Sequence, residues 1–211
     1  MLGSSNSAGV PEADAIASAA HVLATGGIVV YPTETVYGLG VDAYSLPALD
    51  RLVALKVRAP DKPISVLVAD MNMLADLVSD VPPVAAVLMR HFWPGPLTII
   101  LRAQPRVSSV LTNDDGGIGV RVSSHPVATA LVRALGRPVT TPSANPAGQR
   151  PPQRVEDARA YFARRVECYL DGGRLRGEPA STVIDARGEL KVIREGAISQ
   201  ATLLAAFQEE S

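Results

Sequence analysis

GGIVVYPTETVYGLGVD, residues 26–42, is the stretch from which the fold of this chain can be read. Ile28, Val29, Val30 and Tyr31 form a continuous apolar run rich in β-branched side chains, the pattern of a strand covered on both faces. Pro32 has no N–H to give to a sheet, so it ends the ladder. From Thr33 to Gly40 the chain then gathers hydroxyls, a carboxylate and two glycines, a composition that lets backbone approach a polar ligand closely. We read this as a buried strand running into one wall of a ligand site; an ordinary strand-to-loop exit would use the same residues.

Working outward, residues 11–25 carry Ala13, Ile16, Ala17, Ala20, Val22 and Leu23 at helical spacing, with Gly26 placed to stop the helix. Residues 46–56 repeat the pattern through Leu46, Leu49, Leu52 and Val53, so Lys56, Val57 and Arg58 fall at or beyond a helix end. A β-branched run over 63–69 predicts a strand, and Asp70 a helix cap for a segment reaching about Val81. A further helix ends at Trp93–Pro96, before a strand over 97–102. Residues 118–123 alternate, which turns Ile118, Val120 and Val122 inward and Arg121 away from the core onto a wet or functional face.

His125 and Pro126 open a helix that Gly136 closes, and a short strand over 138–141 runs into the long basic loop TPSANPAGQRPP. A helix near 155–164, a strand near 166–170, a flexible segment through 171–181, strands over 182–185 and 190–194 and a helix over 199–207 complete the chain. Early alternation of strand and helix with hairpin-like pairs at the end predicts an α/β fold. It would be one domain, 11–211, with a twisted mixed β-sheet flanked by helices around a groove, behind a flexible leader, 1–10.

A hydrophobic fraction of 47% over 211 residues suits a soluble globular domain, and no apolar run nears the ~18 residues a membrane span needs. The single cysteine, Cys168, excludes an intrachain disulfide and points to a reducing, cytoplasmic setting. The net charge of −1 conceals an asymmetry: residues 81–155 hold eight arginines against two acids, Asp114 and Asp115. Arginine without lysine suits phosphate and carboxylate oxygens, so the section suggests an anionic partner.

Phosphate-binding, dinucleotide-binding and nucleophile-elbow signatures are absent, and His21, His91 and His125 lack metal-ligand spacing. What remains is a set of hydroxyls, cations and one amide spread over loops: Thr33, Thr35, Lys56, Arg58, Lys62, Arg121, Thr141, Ser143, Asn145, Ser181 and Arg194. Nucleotidyl transfer asks for this inventory, because there the protein positions phosphate oxygens and neutralises charge, usually with Mg²⁺.

Five segments occur in one order: PTETVYGLG (32–40), K-x-R then K-P (Lys56, Arg58, Lys62, Pro63), S-A-N (143–145), S-T-V-I-D (181–185) and V-I-R-x-G (192–196). Together they closely resemble the YrdC-type threonylcarbamoyl-adenylate synthases over about residues 12–200. The resemblance implies a single-domain YrdC-like fold with a large basic groove. It also implies a reaction in which L-threonine, bicarbonate and ATP give threonylcarbamoyl-adenylate, pyrophosphate and water, for modification of adenosine 37 of tRNA by downstream transferases.

Carried over by position, the threonine subsite would be Thr33, Thr35, Arg121, Thr141 and Ser181. The ATP subsite would be Lys56, Arg58, Lys62, Ser143, Asn145 and Arg194, with Lys56 and Arg58 catalytic and Mg²⁺ accompanying the nucleotide. This chain departs from the family at Leu67, where many members have histidine, and at Ala147, where a serine is usual; its end soon after the last motif leads us to expect no counterpart of the extra C-terminal domain of longer members. A different class of reading, a module binding double-stranded RNA or tRNA, draws on the arginine-rich section.

Overall fold

The protein is described here as a computed structural model covering residues 13–56, 63–176 and 179–208. The elements run α1 (Ala13–Ala24), β1 (Val29–Pro32), β2 (Tyr37–Gly40), α2 (Leu46–Lys56), β3 (Val66–Leu67), α3 (Met71–Ala75), α4 (Pro83–Phe92), β4 (Leu97–Arg102), β5 (Gly117–Arg121), α5 (Pro126–Leu135), β6 (Val139–Thr140), α6 (Val155–Phe162), β7 (Cys168–Tyr169), β8 (Thr182–Asp185), β9 (Lys191–Arg194) and α7 (Gln200–Gln208). The expected leader lies outside the described residues.

Two mixed sheets form where one was expected: a three-stranded sheet in the order β2-β1-β7 and a six-stranded one in the order β6-β3-β5-β4-β8-β9. In the first, β1 runs antiparallel to β2 and parallel to β7; in the second, β5 lies parallel to β3 and antiparallel to β4. The opening strand is buried on both faces, as its sequence predicts. Ile28 and Val30 enter the larger core with β4, β5 and α2, while Val29 and Tyr31 enter a second core with α1 and α5. Leu23 and Leu131, wholly buried in that second core, each contribute about 1.5–3 kcal/mol through apolar surface removed from water.

Several boundaries follow their local chemistry. Gly26 and Gly136, at φ 83° and 69°, stop α1 and α5 in the left-handed region that glycine enters freely. His125 caps α5 by accepting the Val127 N–H at Nδ1. Asp70 caps α3 through the Met73 N–H, but α3 ends at Ala75 rather than near Val81. The chain leaves the helix there because Ser79 N–H donates to Arg102 O and Val78 bridges Ala103, tying it to the end of β4.

The largest difference is β2, where the sequence suggested a polar turn. Tyr37–Gly40 pairs antiparallel with β1, register Pro32↔Tyr37 to Val29↔Gly40. Gly40 makes room for the Tyr31 ring, which a Cβ there would approach to 2.9 Å, so a residue that reads as a loop signal is a packing requirement within a strand. Tyr31 and Tyr37 turn inward as struts rather than facing a ligand: Tyr31 Oη donates to Thr140 O and Tyr37 Oη to Gly173 O. Burial raises both phenols well above their ordinary range.

Gly196, at the end of the V-I-R-x-G segment, sits where a Cβ would lie 2.0 Å from Ala180 O and 2.8 Å from Ser181 O. Backbone carbonyls cannot rotate away, so Gly196→Ala should destabilise by about 1–3 kcal/mol, the usual penalty for overpacking. The expected readout is a lower urea midpoint at unchanged slope.

Candidate active site

The larger sheet floors a cavity of about 270 Å³, and the turn between β1 and β2 roofs it. Alternation along each strand divides the two faces. Leu97, Ile99 and Leu101 of β4 and Ile118 and Val120 of β5 point into the core, leaving Thr98, Ile100, Gly117, Gly119 and Arg121 on the cavity side. Thr33, Thr35, Val36 and Gly38 come from the roof; Thr141, Ser143 and Pro151 close a third side, and Ser181, Val183 and Arg194 a fourth.

Each candidate side chain has a local reason for its place. Thr33 fastens the roof turn, its Oγ1 accepting the N–H groups of Thr35 and Val36 and donating to Val36 O. Arg194 owes its direction to a bulge: Val183 pairs with Arg194 but Ile184 with Val192, so Ile193 is an extra, outward residue and Arg194 returns to the cavity side. Its Nη2 donates to Ser181 O at 2.8 Å, and Ser181 Oγ lies 3.0 Å from Thr98 Oγ1. Burial, with the positive charge of Arg121 nearby, lowers the Arg194 pKa from its ordinary value. Two guanidinium groups thus border one small cavity, an arrangement that favours an anionic occupant.

Arg121 is 4% exposed and lies on the cavity side, away from the core as the alternation of β5 predicts, with the roof hairpin covering it from water. Its Nη2 pairs with Glu34 Oε1 at 2.6 Å and its Nε donates to Gly95 O. Burial pushes the Glu34 carboxyl up, but the Arg121 charge and the Ser123 hydroxyl outweigh it, so the group stays below its ordinary pKa.

Nearby, burial lowers the His125 pKa against a smaller opposing pull from Glu34. The unfolded chain therefore takes up that proton first, and stability should fall as pH drops below about 6.5. Urea unfolding of His125→Asn, which keeps a capping side chain, should lose this part of the pH dependence.

Seven of the residues singled out in the sequence line the cavity: Thr33, Thr35, Arg121, Thr141, Ser143, Ser181 and Arg194. Lys56 and Asn145 stand behind its wall. The Lys56 ammonium, 4% exposed, donates to the carbonyls of Ser143 and Asn145, 2.8 Å for the latter, and so pins the S-A-N loop from below. Asn145 Nδ2 donates to Pro146 O and Gln149 O, while its buried Oδ1 has no partner among the described residues. Arg58 and Lys62 lie outside the described residues.

The sequence reading missed Thr98, Ser65, Gly117 and Gly119. The signal available for the glycines was G-x-G-x-R on one strand face, two absent side chains leading to one arginine. A Cβ on Gly119 would come within 3.2 Å of Ser65 and 3.3 Å of Thr98, so that floor is as close as side chains allow. Leu67 is buried in the second core and Ala147 is an exposed loop residue; neither departure from the family pattern lines the cavity.

The arginine-rich section is less basic in space than in sequence. Arg106, Arg121 and Arg137 pair with Asp76, Glu34 and Asp42, acids supplied by the earlier part of the chain. Arg150 and Arg154 instead join Arg174 around a second cavity of about 600 Å³, and Pro151 borders both cavities. Cys168 is half-buried with its thiol pKa raised by burial, the state of an inert thiol. Among the described residues no cluster of His, Cys, Asp or Glu is built to hold a metal, and none lining this cavity is a carboxylate. No described helix is long and apolar enough to cross a membrane.

A family model named Sua5_yciO_yrdC, described as telomere recombination, matches residues 21–196. A Mycobacterium tuberculosis protein named putative threonylcarbamoyl-AMP synthase is 37% identical over 185 residues, covering 87% of this chain and 85% of its own. The Bacillus subtilis threonylcarbamoyl-AMP synthase is also 37% identical, over 88% of this chain but 54% of its own length. Among solved structures, Pyrococcus abyssi Sua5 complexed with L-threonine superposes with a TM-score of 0.90 at 34% identity, covering 94% of this chain. The chain spans 59% of that Sua5 chain, so it is little more than half the length of the longer relatives. By the extent of these matches, this chain belongs to the Sua5/YciO/YrdC family.

Proposed function

We propose that the chain is an L-threonylcarbamoyladenylate synthase, a nucleotidyltransferase that joins L-threonine, bicarbonate and ATP and releases pyrophosphate and water. The observation that carries this reading is the convergence of Thr33, Thr35, Arg121, Thr141 and Ser181 with Ser143 and Arg194 on one cavity. Its volume of about 270 Å³ lies just under the ~300–1,000 Å³ of ordinary small-ligand pockets. It suits one small amino acid and the reacting end of a nucleotide, whose remainder extends past Pro151.

In this reading Arg121 meets the threonine carboxylate and the threonine-rich roof holds its hydroxyl and amine. The amine adds to CO₂ formed from bicarbonate with loss of water. A carbamate oxygen then attacks the α-phosphorus, and the bond from that phosphorus to the bridging oxygen breaks as pyrophosphate leaves. No covalent enzyme intermediate is needed. The chain contributes alignment and positive charge, Ser143 and Arg194 on the phosphates, Asn145 and Lys56 through the loop that carries Ser143, and Arg58 and Lys62 as further phosphate cations. Mg²⁺ would accompany the triphosphate and supply further positive charge to it; among the described residues lining the cavity no carboxylate stands ready to hold the ion.

The 11–211 unit would act as one catalytic domain in the cytoplasm, handing its adenylate to a tRNA-modifying threonylcarbamoyl transferase. The test is an omission series on purified protein: pyrophosphate release should require threonine, bicarbonate and ATP together. Release at an equal rate without threonine would overturn the assignment. The RNA-binding reading is favoured by one feature, the cleft of Arg150, Arg154 and Arg174; it predicts binding that weakens steeply with salt and needs no threonine.

A further inference from the structure

We propose that Glu34 is a positioning residue that aims Arg121 at the substrate carboxylate and lets two arginines share one cavity. The inference rests on the threonine subsite proposed above. Glu34 occupies the tip of the roof turn, where the Thr33 hydroxyl ties down the backbone on its far side through Thr35 and Val36. Its carboxylate is held at both oxygens: Oε1 lies 2.6 Å from Arg121 Nη2, and Oε2 accepts the Ser123 hydroxyl. The Glu34 and Arg121 side chains are only 14% and 4% exposed. Ser123 Oγ in turn accepts the His125 N–H, which ties the carboxylate to the start of α5.

Arg121 is thereby fixed at two of its three nitrogens, Nη2 by Glu34 and Nε by the Gly95 carbonyl. Nη1 has no hydrogen-bond acceptor among the described residues, and Arg121 borders the cavity. The Nη2 contact is a buried ion pair turned out of hydrogen-bond alignment, so it anchors the guanidinium by charge and leaves Nη1 as the nitrogen that can meet a carboxylate. Arg194 is close enough for the Arg121 charge to depress its pKa. Without a buried anion beside Arg121, the positive charge of Arg194 across the cavity would favour turning the Arg121 guanidinium away. Glu34 supplies that anion from outside the lining, where it does not meet the substrate.

A residue acting in this way should change how threonine is held and leave the phosphate side alone. The experiment is steady-state pyrophosphate release by wild-type protein and Glu34→Gln, with threonine and ATP varied separately. Calorimetric titration with threonine gives a readout independent of turnover. The glutamine keeps an acceptor for Ser123 and removes the charge. The expected result is a threonine KM and Kd raised at least tenfold, with kcat and the ATP KM within about twofold. Glu34→Asp should recover part of the threonine affinity.

In an Arg121→Ala background, Glu34→Gln should shift the threonine KM by less than twofold, because its effect passes through the arginine. Should Glu34→Gln prove unfolded, Ser123→Ala, which frees one carboxylate oxygen without removing charge, serves in its place and should raise the threonine KM severalfold. A folded Glu34→Gln or Ser123→Ala with unchanged threonine KM and Kd overturns the proposal, as does an equal loss on the threonine and ATP sides. If wild-type protein binds no threonine, the functional reading fails instead, and the two failures are told apart.

Discussion

Lys56→Ala is expected to lower kcat/KM for ATP by at least about 100-fold while the protein stays folded, measured by pyrophosphate release across an ATP titration. The ammonium is not on the cavity surface; it lies beneath it, holding the carbonyls of Ser143 and Asn145. Those bonds fix a loop already joined to β2 by Ala144 N–H to Tyr37 O and by the Gly38↔Ser143 bridge. Without the lysine, Ser143 is no longer held in line with Arg194, and a misplacement of about 1 Å costs on the order of 10²-fold in rate. Each buried carbonyl left unpaired costs about 1–3 kcal/mol, which a domain stable by about 5–15 kcal/mol survives with a lowered Tm. A Lys56→Ala protein with normal ATP kinetics would show that the loop holds its shape unaided.

Arg121→Ala carries the second large effect, and it has two parts. Threonine affinity should fall, with the threonine KM rising by about 100-fold or more while turnover at high threonine stays measurable, because a carboxylate loses its charged, preoriented partner. Stability should fall by about 3–5 kcal/mol, since the Glu34 carboxylate stays buried with no cation beside it.

The pH dependence supplies the sign. In the wild type Glu34 is held below its ordinary pKa, so its stabilising effect is present above about pH 4.5 and fades as pH falls through the folded-state value. In Arg121→Ala burial dominates, the carboxyl rises, and the variant should be least stable relative to wild type near neutral pH and nearly equal to it in acid. Adding Glu34→Gln should restore much of the Tm and none of the threonine affinity, which separates the arginine's two roles.

How much of this was legible in the sequence depended on whether the deciding physics was local. The buried strand at 28–31, the Asp70 and His125 caps, the Gly136 stop and the alternation of β5 are set by neighbours in the chain, and each was read correctly. β2 was missed because its glycines are explained only by the Tyr31 ring across the hairpin. The two-sheet arrangement depends on long-range pairings such as β4 with β8, register Leu97↔Thr182, which no local pattern announces.

Arg194 was chosen by resemblance and charge, but its direction comes from a bulge at Ile193 visible only in the pairing register. Thr98 and Gly119 carry no signature of their own; they became site residues when β4 and β5 turned one face to the cavity. Lys56 was read as a phosphate contact, and the fold gives it a supporting place instead. The sequence offers its charge but not which acceptors come within reach, here carbonyls 87 and 89 residues away.

The central claim is that one cavity holds a small amino acid against the reacting phosphates of a nucleotide. A crystal structure of this chain with L-threonine and a non-hydrolysable ATP analogue tests it most directly. The expected result is the threonine carboxylate at Arg121, its amine facing the α-phosphate, and the phosphates between Ser143 and Arg194. Threonine and nucleotide bound in separate places, or phosphates seated only in the cleft of Arg150, Arg154 and Arg174, would contradict it.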